Sequence, residues 1–429
     1  MNMKKNLIVL AVIALSSGLL SCSSTDEELE PSQTVYMVSE VKPIQLTESQ
    51  RVFRNDNNTF TLNFLKTVNE TDRSGKSYIY SPLSITYVLG MVNDAAEGAT
   101  EQELEQTLGF HEGGIQAVND YCKKLIDGLP KVDKKVQLNI ANAIFLNKKY
   151  SLKEQFQEDM KTYYDAEAEA FDFSDPKTKD HINGWASEKT NGLIPSILEK
   201  VEPEMVSYLL NAIYFKADWA SKFDEKNTKT ETFTTENGKT QLPLMHQNVF
   251  INYQKNNIFS AVNIPYSSGL WNMLVMLPEE GKTTDDIINY LSTLDMTSGE
   301  FAYGQSYEVD LKLPRFETTS DTDDLRDGLK TLMQKMGIDR AFDADRAEIP
   351  NMANVPVYIS MMRQKAAIKV NEEGSEAAAV TVADFMPTSS NPEPVEIPKA
   401  VFHANRPFVY VIREASSGVI VFVGKFTGE

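Results

Sequence analysis

The segment of residues 371–399 constrains the fold of this chain more than any other, because it combines the polarity of a loop with the alternation of a strand. Side chains of an extended chain point alternately to two faces, so the residues between Gly374 and Pro387 divide by parity. One face is small or apolar and carries no charge: Ser375, Ala377, Ala379, Thr381, Ala383 and Phe385. The other face holds both carboxylates: Glu376, Ala378, Val380, Val382, Asp384 and Met386. This pattern is typical of a half-buried strand that is entered at a glycine.

The same residues also fit a helix or a flexible linker. The alanine run is good helix material, and Ser375 is suited to cap it. The sequence that follows favours the strand, because two hydrophobic strands at 408–412 and 419–423 are joined by a turn at 414–418. A polar loop that ends in prolines and lies between such strands is expected to be exposed.

Two motifs around this loop resemble the hinge and the post-loop signature of the serpin family. The first is Glu-Glu-Gly-Ser-Glu-Ala-Ala-Ala at 372–379, and the second is Phe-His-Ala-Asn-Arg-Pro-Phe at 402–408. Upstream segments are also similar to serpin strands and helices, so the expected domain covers residues 43–428. The resemblance implies an α+β fold: several helices around a large mixed central β-sheet, with an exposed reactive-centre loop at about 371–399. In this domain, alternation predicts one strand over residues 309–316.

The resemblance assigns roles to residues of the loop and of the sheet. The hinge would comprise Glu372, Gly374, Ser375, Glu376, Ala377, Ala378, Ala379 and Val380. The family's spacing from Gly374 places the attacked bond between Thr388 and Ser389, with Phe385 and Met386 as alternatives. The region where the sheet opens would contain Ser81, Ser84, Asn211, Trp219 and Gln364. Ser81 and Ser84 also suit the start of a helix at Pro82, and Trp219 also suits a core.

The chain departs from the family's pattern in two ways. Gln364 stands where many serpins carry a histidine that bonds to the residue equivalent to Asn211. Since glutamine both donates and accepts, we expect this contact to survive and pH sensitivity from this position to be absent. The distance from Gly374 to Phe402 is also several residues longer than in most serpins, and it is rich in proline.

The composition and the absence of certain motifs argue against several other classes of function. The net charge of −19 argues against a surface for nucleic acid or anionic membrane, which would need clustered Lys and Arg. The four histidines form no HExxH motif, and the chain contains no GxSxG, phosphate-loop or GxGxxG sequence. We therefore expect neither an enzyme nor a cofactor or metal site.

The N-terminus predicts a lipid anchor. Lys4 and Lys5 precede an apolar run that ends in Leu-Ser-Cys, which resembles a bacterial lipoprotein signal cleaved before Cys22. The expected parts are a signal peptide at 1–21, a lipidated Cys22 and an acidic flexible tether at 22–42. The alternative is an ordinary secretory peptide. The expected location is the outer membrane, facing either the cell surface or the periplasm, and the second cysteine, Cys122, is expected to be a buried, unreactive thiol.

The sequence thus predicts a protease inhibitor that acts as a suicide substrate. A protease would attack near Thr388, and the cut loop would insert into the central sheet and trap the acyl-enzyme. Because residues 375–397 contain no Arg or Lys, elastase-like, subtilisin-like or papain-like proteases are favoured over trypsin-like ones, and the inhibitor is expected to be a monomer. Two alternatives are a non-inhibitory serpin used for binding and an unrelated surface-binding lipoprotein.

Overall fold

The computed structural model describes residues 41–72, 74–111, 113–296, 304–325, 328–375 and 397–428, which form eight α-helices and fifteen strands. Within these ranges the α-helices are α1 (Glu48–Thr71), α2 (Pro82–Ala95), α3 (Gly98–Leu108), α4 (Gly114–Gly128), α5 (Glu154–Tyr164), α6 (Pro176–Lys189), α7 (Thr284–Leu291) and α8 (Gly328–Lys335). The strands of the same ranges are β1 (Tyr78–Tyr80), β2 (Gln137–Asn147), β3 (Glu167–Phe171), β4 (Ser207–Asp218), β5 (Lys229–Thr235), β6 (Gly238–Lys255), β7 (Phe259–Tyr266), β8 (Trp271–Pro278), β9 (Gln305–Pro314), β10 (Phe316–Asp321), β11 (Met361–Val370), β12 (Gly374–Ser375), β13 (Lys399–His403), β14 (Phe408–Glu414) and β15 (Val419–Phe426).

A six-stranded sheet lies at the centre of the candidate site. Its order is β10-β11-β4-β2-β3, and the short β12 pairs with β4. The sheet is mixed, because β4 runs parallel to β11 and β2 runs parallel to β3, while the other pairs are antiparallel. The expected mixed central sheet surrounded by helices is confirmed.

A nine-stranded sheet packs with the helices to form the main core. Its order is β1-β15-β14-β8-β7-β6-β9-β13, and β5 pairs with β6. The β14 and β15 strands are buried along their whole length, as expected of the hydrophobic runs at the C-terminal end of the chain. Helix α2 lies within this core, and all but one of its residues are buried.

A second, smaller core lies between α6 and the six-stranded sheet. It joins Ile182 and Trp185 of α6 to alternate residues of β4, namely Tyr208, Leu210 and Ala212. The intervening residues Leu209, Ile213 and Phe215 belong to the main core on the other side. The faces of β4 are therefore fixed by parity, and both are covered over most of its length.

The prediction of one strand over residues 309–316 is wrong. The run is divided at Arg315 into β9, which belongs to the nine-stranded sheet, and β10, which belongs to the six-stranded sheet. The alternating buried residues are Val309, Leu311 and Leu313 in β9 but Phe316, Thr318 and Ser320 in β10, so the alternation shifts by one residue where the chain changes sheet. Pro314, which lacks a backbone donor, ends β9.

The N-terminal predictions fall largely outside the described residues. These include the signal peptide at 1–21, Cys22 and the tether at 22–42 up to residue 40. The described chain is attached to the body from its start, because Lys42 N donates to Val132 O at 2.9 Å. Over the described ranges, no helix has the length and apolarity needed to cross a membrane.

The thiol of Cys122 lies on α4 and is fully buried in the main core. Burial raises the pKa of this thiol to about 12. The thiolate is the reactive form of cysteine, so the folded environment suppresses reaction both by excluding reagent and by keeping the proton on sulfur.

We predict that Cys122 in a soluble form starting at residue 43 reacts with a thiol reagent only after unfolding. The expected result is no labelling of the native protein at pH 8 and one equivalent in guanidinium, measured by absorbance with a chromogenic disulfide. Rapid labelling of the native protein, with its unfolding transition unchanged, would contradict the burial of this side chain.

Candidate functional site

The predicted hinge begins inside the six-stranded sheet. In β12, Gly374 pairs with Asp218 and Ser375 pairs with Ala217, antiparallel to β4. Reciprocal backbone bonds between Asn371 and Gly374, at 2.9 and 3.2 Å, join β12 to the end of β11 through a two-residue turn. The first two residues beyond the turn therefore already lie between β4 and β11.

Gly374 is required by its closeness to β4. Its φ is +144°, a conformation that favours glycine. A Cβ at this position would lie 2.3 Å from Ala217 O and 2.5 Å from the Cα of Asp218. No other residue fits there without displacing the backbone of β12 from β4.

Glu372 is held in the turn before β12 by side chains from two other elements. Its carboxylate is buried, and it accepts hydrogen bonds from Arg315 Nε at 3.0 Å and from Thr228 Oγ1 at 2.6 Å. Burial alone would raise the pKa of this carboxyl, but the hydrogen bonds from Arg315 and Thr228 outweigh it and hold the pKa below its ordinary value. Glu372 is thus a fixed, ionised anchor.

The neighbouring Glu373 is held by the end of β4 and the residues after it. Its carboxylate pairs with Lys222, and Lys222 Nζ also lies 3.6 Å from Asp218 Oδ2. Trp219 N donates to Glu373 O at 2.9 Å. We refer to Thr228, Arg315 and Lys222, together with their partners Glu372 and Glu373, as the hinge clamp.

Trp219 closes the end of the sheet beside the clamp. Its ring is buried and stacks on Tyr266 with a centroid distance of 4.4 Å and an interplanar angle of 10°. Its Nε1 donates to Asn371 O at 2.9 Å, which ties the ring to the end of the turn. The structure therefore places Trp219 where the hinge enters, as the resemblance implied, and also in the core.

Three buried amides cross the middle of the sheet in one row. Asn211 Nδ2 of β4 donates to Asn142 Oδ1 of β2 at 2.9 Å, and Gln364 Nε2 of β11 donates to Asn211 Oδ1 at 3.1 Å. The register pairs Asn142 with Asn211 and Asn211 with Gln364. We refer to these residues as the amide row. It contains no group that titrates near neutral pH, in agreement with the expectation for Gln364.

Gln364 also fixes the sheet to the start of α2. Its Oε1 accepts from Ser81 N and its Nε2 donates to Ser81 O, both at 2.9 Å. Ser81 caps α2, and its hydroxyl donates to Val421 O at 2.7 Å, so it links the two sheets. Ser84, buried beside it, contributes a hydroxyl 3.3 Å from that of Ser81. The structure thus brings Ser81, Ser84, Asn211 and Gln364 together.

The β4–β11 ladder closes only part of the interface between these strands. Residues 361–366 pair with residues 208–213, and toward the far end β4 pairs with β12 instead. The amide row lies within the closed part. The sheet therefore has a closed half that ends near Ile213 and a parted half that receives the hinge.

Several predicted site residues lie outside the described part of the chain. They are the hinge residues Glu376, Ala377, Ala378, Ala379 and Val380, the predicted bond at Thr388 and Ser389, and the alternatives Phe385 and Met386. Sequence reasoning also missed three clamp residues, Lys222, Thr228 and Arg315, and one amide, Asn142. A signal existed for Asn142, because two apolar residues flank it on each side, as they do Asn211. Across the described ranges, no group of three or more His, Cys, Asp or Glu residues could hold a metal ion.

Comparison with known proteins matches this geometry to one family. The family model of serpins, described as serine protease inhibitors, matches residues 55–428. Serpin B6 of Pongo abelii is 30% identical over 382 residues, which cover 86% of this chain and 98% of that protein. Antitrypsin of Bombyx mori is 31% identical over 390 residues, covering 89% of this chain and 95% of its own. The solved complex of thyroxine-binding globulin with thyroxine aligns with a TM-score of 0.75 and 26% identity, over 88% of this chain and 98% of that one. The chain belongs to the serpin family.

Proposed function

We propose that this serpin is a suicide inhibitor of proteases, in which the cleaved loop extends β12 through the whole six-stranded sheet. The observation that carries the proposal is the pairing of Gly374 and Ser375 with β4, which sets the register of any further insertion. Insertion of a cut serpin loop is a known form of strand addition.

The register decides which loop residues would face the core. If the register continued along β4, Ala379 would lie opposite Ile213, Thr381 opposite Asn211 and Phe385 opposite Ser207. Directly opposed residues of an antiparallel pair share a face. The uncharged face of the loop would therefore lie toward the main core, where Ile213 is fully buried.

The opposite face of the loop also fits its new neighbours. Glu376 would lie opposite Lys216, which gives a cross-strand pair of opposite charge at the half-exposed end of β4. Ala378, Val380 and Val382 would follow toward the α6 side. Both faces thus suit insertion, whereas a non-inhibitory loop is expected to carry bulky or charged residues in the hinge.

Insertion must break the closed half of the β4–β11 interface. It would separate Gln364 from Asn211, and Thr381 would enter the amide row between them. A threonine hydroxyl can both donate and accept, so it can replace the lost amide contact. The cost of parting the strands is then offset within the same row.

The remaining features of the function are part of the same proposal. The attacked bond is Thr388–Ser389, with cuts at Phe385 and Met386 as alternatives, and the targets are elastase-like, subtilisin-like or papain-like proteases. An inserted strand to Thr388 spans roughly 40 Å, so a bound protease would be carried most of the length of the domain. The inhibitor acts as a monomer and has no catalytic activity of its own.

The location is proposed from the N-terminus alone. The Leu-Ser-Cys sequence supports a lipoprotein anchored through Cys22 after removal of residues 1–21, in the outer membrane of a bacterium. The acidic segment behind Cys22 supports a tether that holds the inhibitor away from the membrane.

A role in ligand binding is the second candidate function. A solved structure of thyroxine-binding globulin contains thyroxine, and this chain is similar to that protein over most of its length. The small residues of the hinge favour inhibition instead. The third hypothesis, a surface-binding lipoprotein unrelated to serpins, is wrong, because the family is established.

Trapping of the protease tests the proposal directly. The soluble domain, incubated with pancreatic elastase, subtilisin and papain, should form an SDS-stable complex with at least one of them, and mass spectrometry should find the cut near Thr388. Ala379→Asp should be cleaved with little complex, because its carboxylate would be buried against Ile213 at a cost of several kcal/mol. Ala378→Asp, whose side chain would lie on the opposite face, is the matched control and should retain more complex. Equal complex yields from Ala379→Asp and the unmodified protein would refute insertion in this register.

The hinge clamp predicts a pH-dependent contribution to stability. Arg315→Met should lower the unfolding free energy of the uncleaved protein by about 1–3 kcal/mol at pH 7, because it leaves the Glu372 carboxylate buried without its guanidinium. The double variant Arg315→Met/Glu372→Gln should recover part of the loss. Because the pKa of Glu372 is depressed, the contribution is present above its ordinary value near 4.5 and is lost as the pH falls through the folded value.

Urea unfolding at several pH values measures this effect. Arg346→Met is the control, because the side chains of Arg346 and Arg315 are equally exposed, at 46%, but the carboxylates paired with Arg346 are 42% and 31% exposed, whereas that of Glu372 is 3% exposed. Its effect should be smaller. An Arg315→Met defect that does not shrink between pH 7 and the lowest pH, well below 4.5, at which the protein stays folded would rule out the ionised anchor.

Cleavage should raise the thermal stability of the domain. About ten new backbone hydrogen bonds, each worth about 1 kcal/mol, would form when the strand inserts. For a domain of this size, the expected increase in Tm is at least about 10 °C. Differential scanning calorimetry of the intact and cut forms provides the measurement, and identical Tm values would exclude insertion.

A further inference from the structure

The outward face of three neighbouring strands forms a surface beside the point where the loop returns to the body. The register aligns Phe250, Glu308 and Lys399 in one row, Asn248, Asp310 and Val401 in the next, and His246, Lys312 and His403 in a third. The intervening residues Val309, Leu311 and Leu313 of β9 are buried. We call this outward grid the β13 face.

Two large apolar side chains are exposed among the polar and charged residues of the β13 face. The described chain has five large hydrophobic side chains that are strongly exposed, and two of them, Phe250 at 58% and Val401 at 63%, lie on this face. A third, Ile397 at 46%, lies two residues before β13. A cavity of about 340 Å³ opens here, lined by Asn248, Glu308, Asp310, Lys399, Ala400 and Val401. Phe250 and Val401 lie on opposite sides of β9, and large exposed apolar groups on the same face of a sheet are suited to contact with another molecule.

The charges of the β13 face already have partners within the chain. Lys399 Nζ lies 2.9 Å from Glu308 Oε2, and Lys312 Nζ lies 2.7 Å from Glu231 Oε1 of β5. The two oxygens of Asp310 lie 2.8 Å from His246 Nε2 and 3.1 Å from His403 Nε2. A partner can therefore cover the face without supplying charges of its own, and the contacts left to it are apolar.

We propose that the β13 face is a docking surface for the body of the protease that attacks the loop, and that Phe250 and Val401 raise the rate at which the protease associates. This inference rests on the proposed inhibitory function. The inference adds a second contact between inhibitor and protease, separate from the bond that is cut. On the protease, this contact would be made by an apolar region near the active-site cleft.

The length of the chain between the attacked bond and the face supports this occupant. Ile397 follows Ser389 by eight residues, which reach at most about 28 Å. A protease domain of about 230 residues has a radius of gyration of about 17 Å and a diameter of about 45 Å. A protease bound at Thr388–Ser389 is therefore large enough to reach the β13 face. The chain that leaves this bond is also fixed to the face, because Glu308 N donates to Pro398 O at 3.0 Å.

The experiment compares association rate constants of variants with the member of the elastase, subtilisin and papain panel that forms the complex fastest. Phe250→Ser/Val401→Ser should associate about tenfold more slowly, while the fraction of encounters that end in complex and the Tm gain on cleavage stay unchanged. Val401→Lys, a substitution tolerated on an edge strand, provides a second variant that should also slow association. Val52→Ser/Val355→Ser is the control, because these residues are exposed at 45% and 44% but lie elsewhere on the chain, and its rate should equal that of the unmodified protein.

The outcomes separate this inference from the function on which it rests. Equal association rates for all variants, with normal complex formation, would overturn the docking surface and leave the inhibitory function intact. Absence of any complex from the unmodified protein would overturn both. A dimer of the unmodified protein in analytical ultracentrifugation that is lost in Phe250→Ser/Val401→Ser would assign the face to a second copy of the chain instead.

Discussion

The close approach of Gly374 to the backbone of β4 is the constraint on which the rest of the site depends. A Cβ on residue 374 would lie only 2.3 Å from Ala217 O, so this position accepts only glycine. This contact fixes the position of β12, and β12 fixes the register in which every later residue of the loop would meet β4. The hinge clamp holds the preceding turn, so the register cannot slip by a residue and exchange the two faces of the loop.

The two halves of the β4–β11 interface differ in what holds them. The parted half is held by ion pairs and hydrogen bonds to Glu372 and Glu373, which lie at its edge. The closed half is held by a parallel ladder and by the neutral amide row. A row of amides can exchange one hydrogen-bonding partner for another without moving a charge through the interior, which would be far more costly. The neutral hydrogen bonds of the closed half therefore suit an interface between β4 and β11 that opens once.

The sequence predicted the parts of the site that depend on local periodicity or on compact motifs. The parity of the loop agrees with the faces that the register assigns, because a strand repeats every two residues wherever it lies. The roles of Ser81, Asn211, Trp219 and Gln364 followed from the resemblance of the surrounding segments to those of serpins. The clamp did not follow, since Arg315, Thr228 and Lys222 come from different segments and meet only in the folded chain. The change of sheet at Arg315 was missed although the sequence carries a signal for it: apolar residues alternate at odd positions up to Leu313, and Phe316 breaks that phase.

The arrangement of the hinge clamp has a kinetic consequence. Every anchor in it lies on the N-terminal side of Gly374, so lengthening of β12 toward the other end of β4 breaks none of them. The conformational entropy of the first strand residues, Gly374 and Ser375, is already lost before any bond is cut. Under the proposed insertion, strand growth would be propagation without a separate nucleation step, and a single exponential phase without a lag would be its signature.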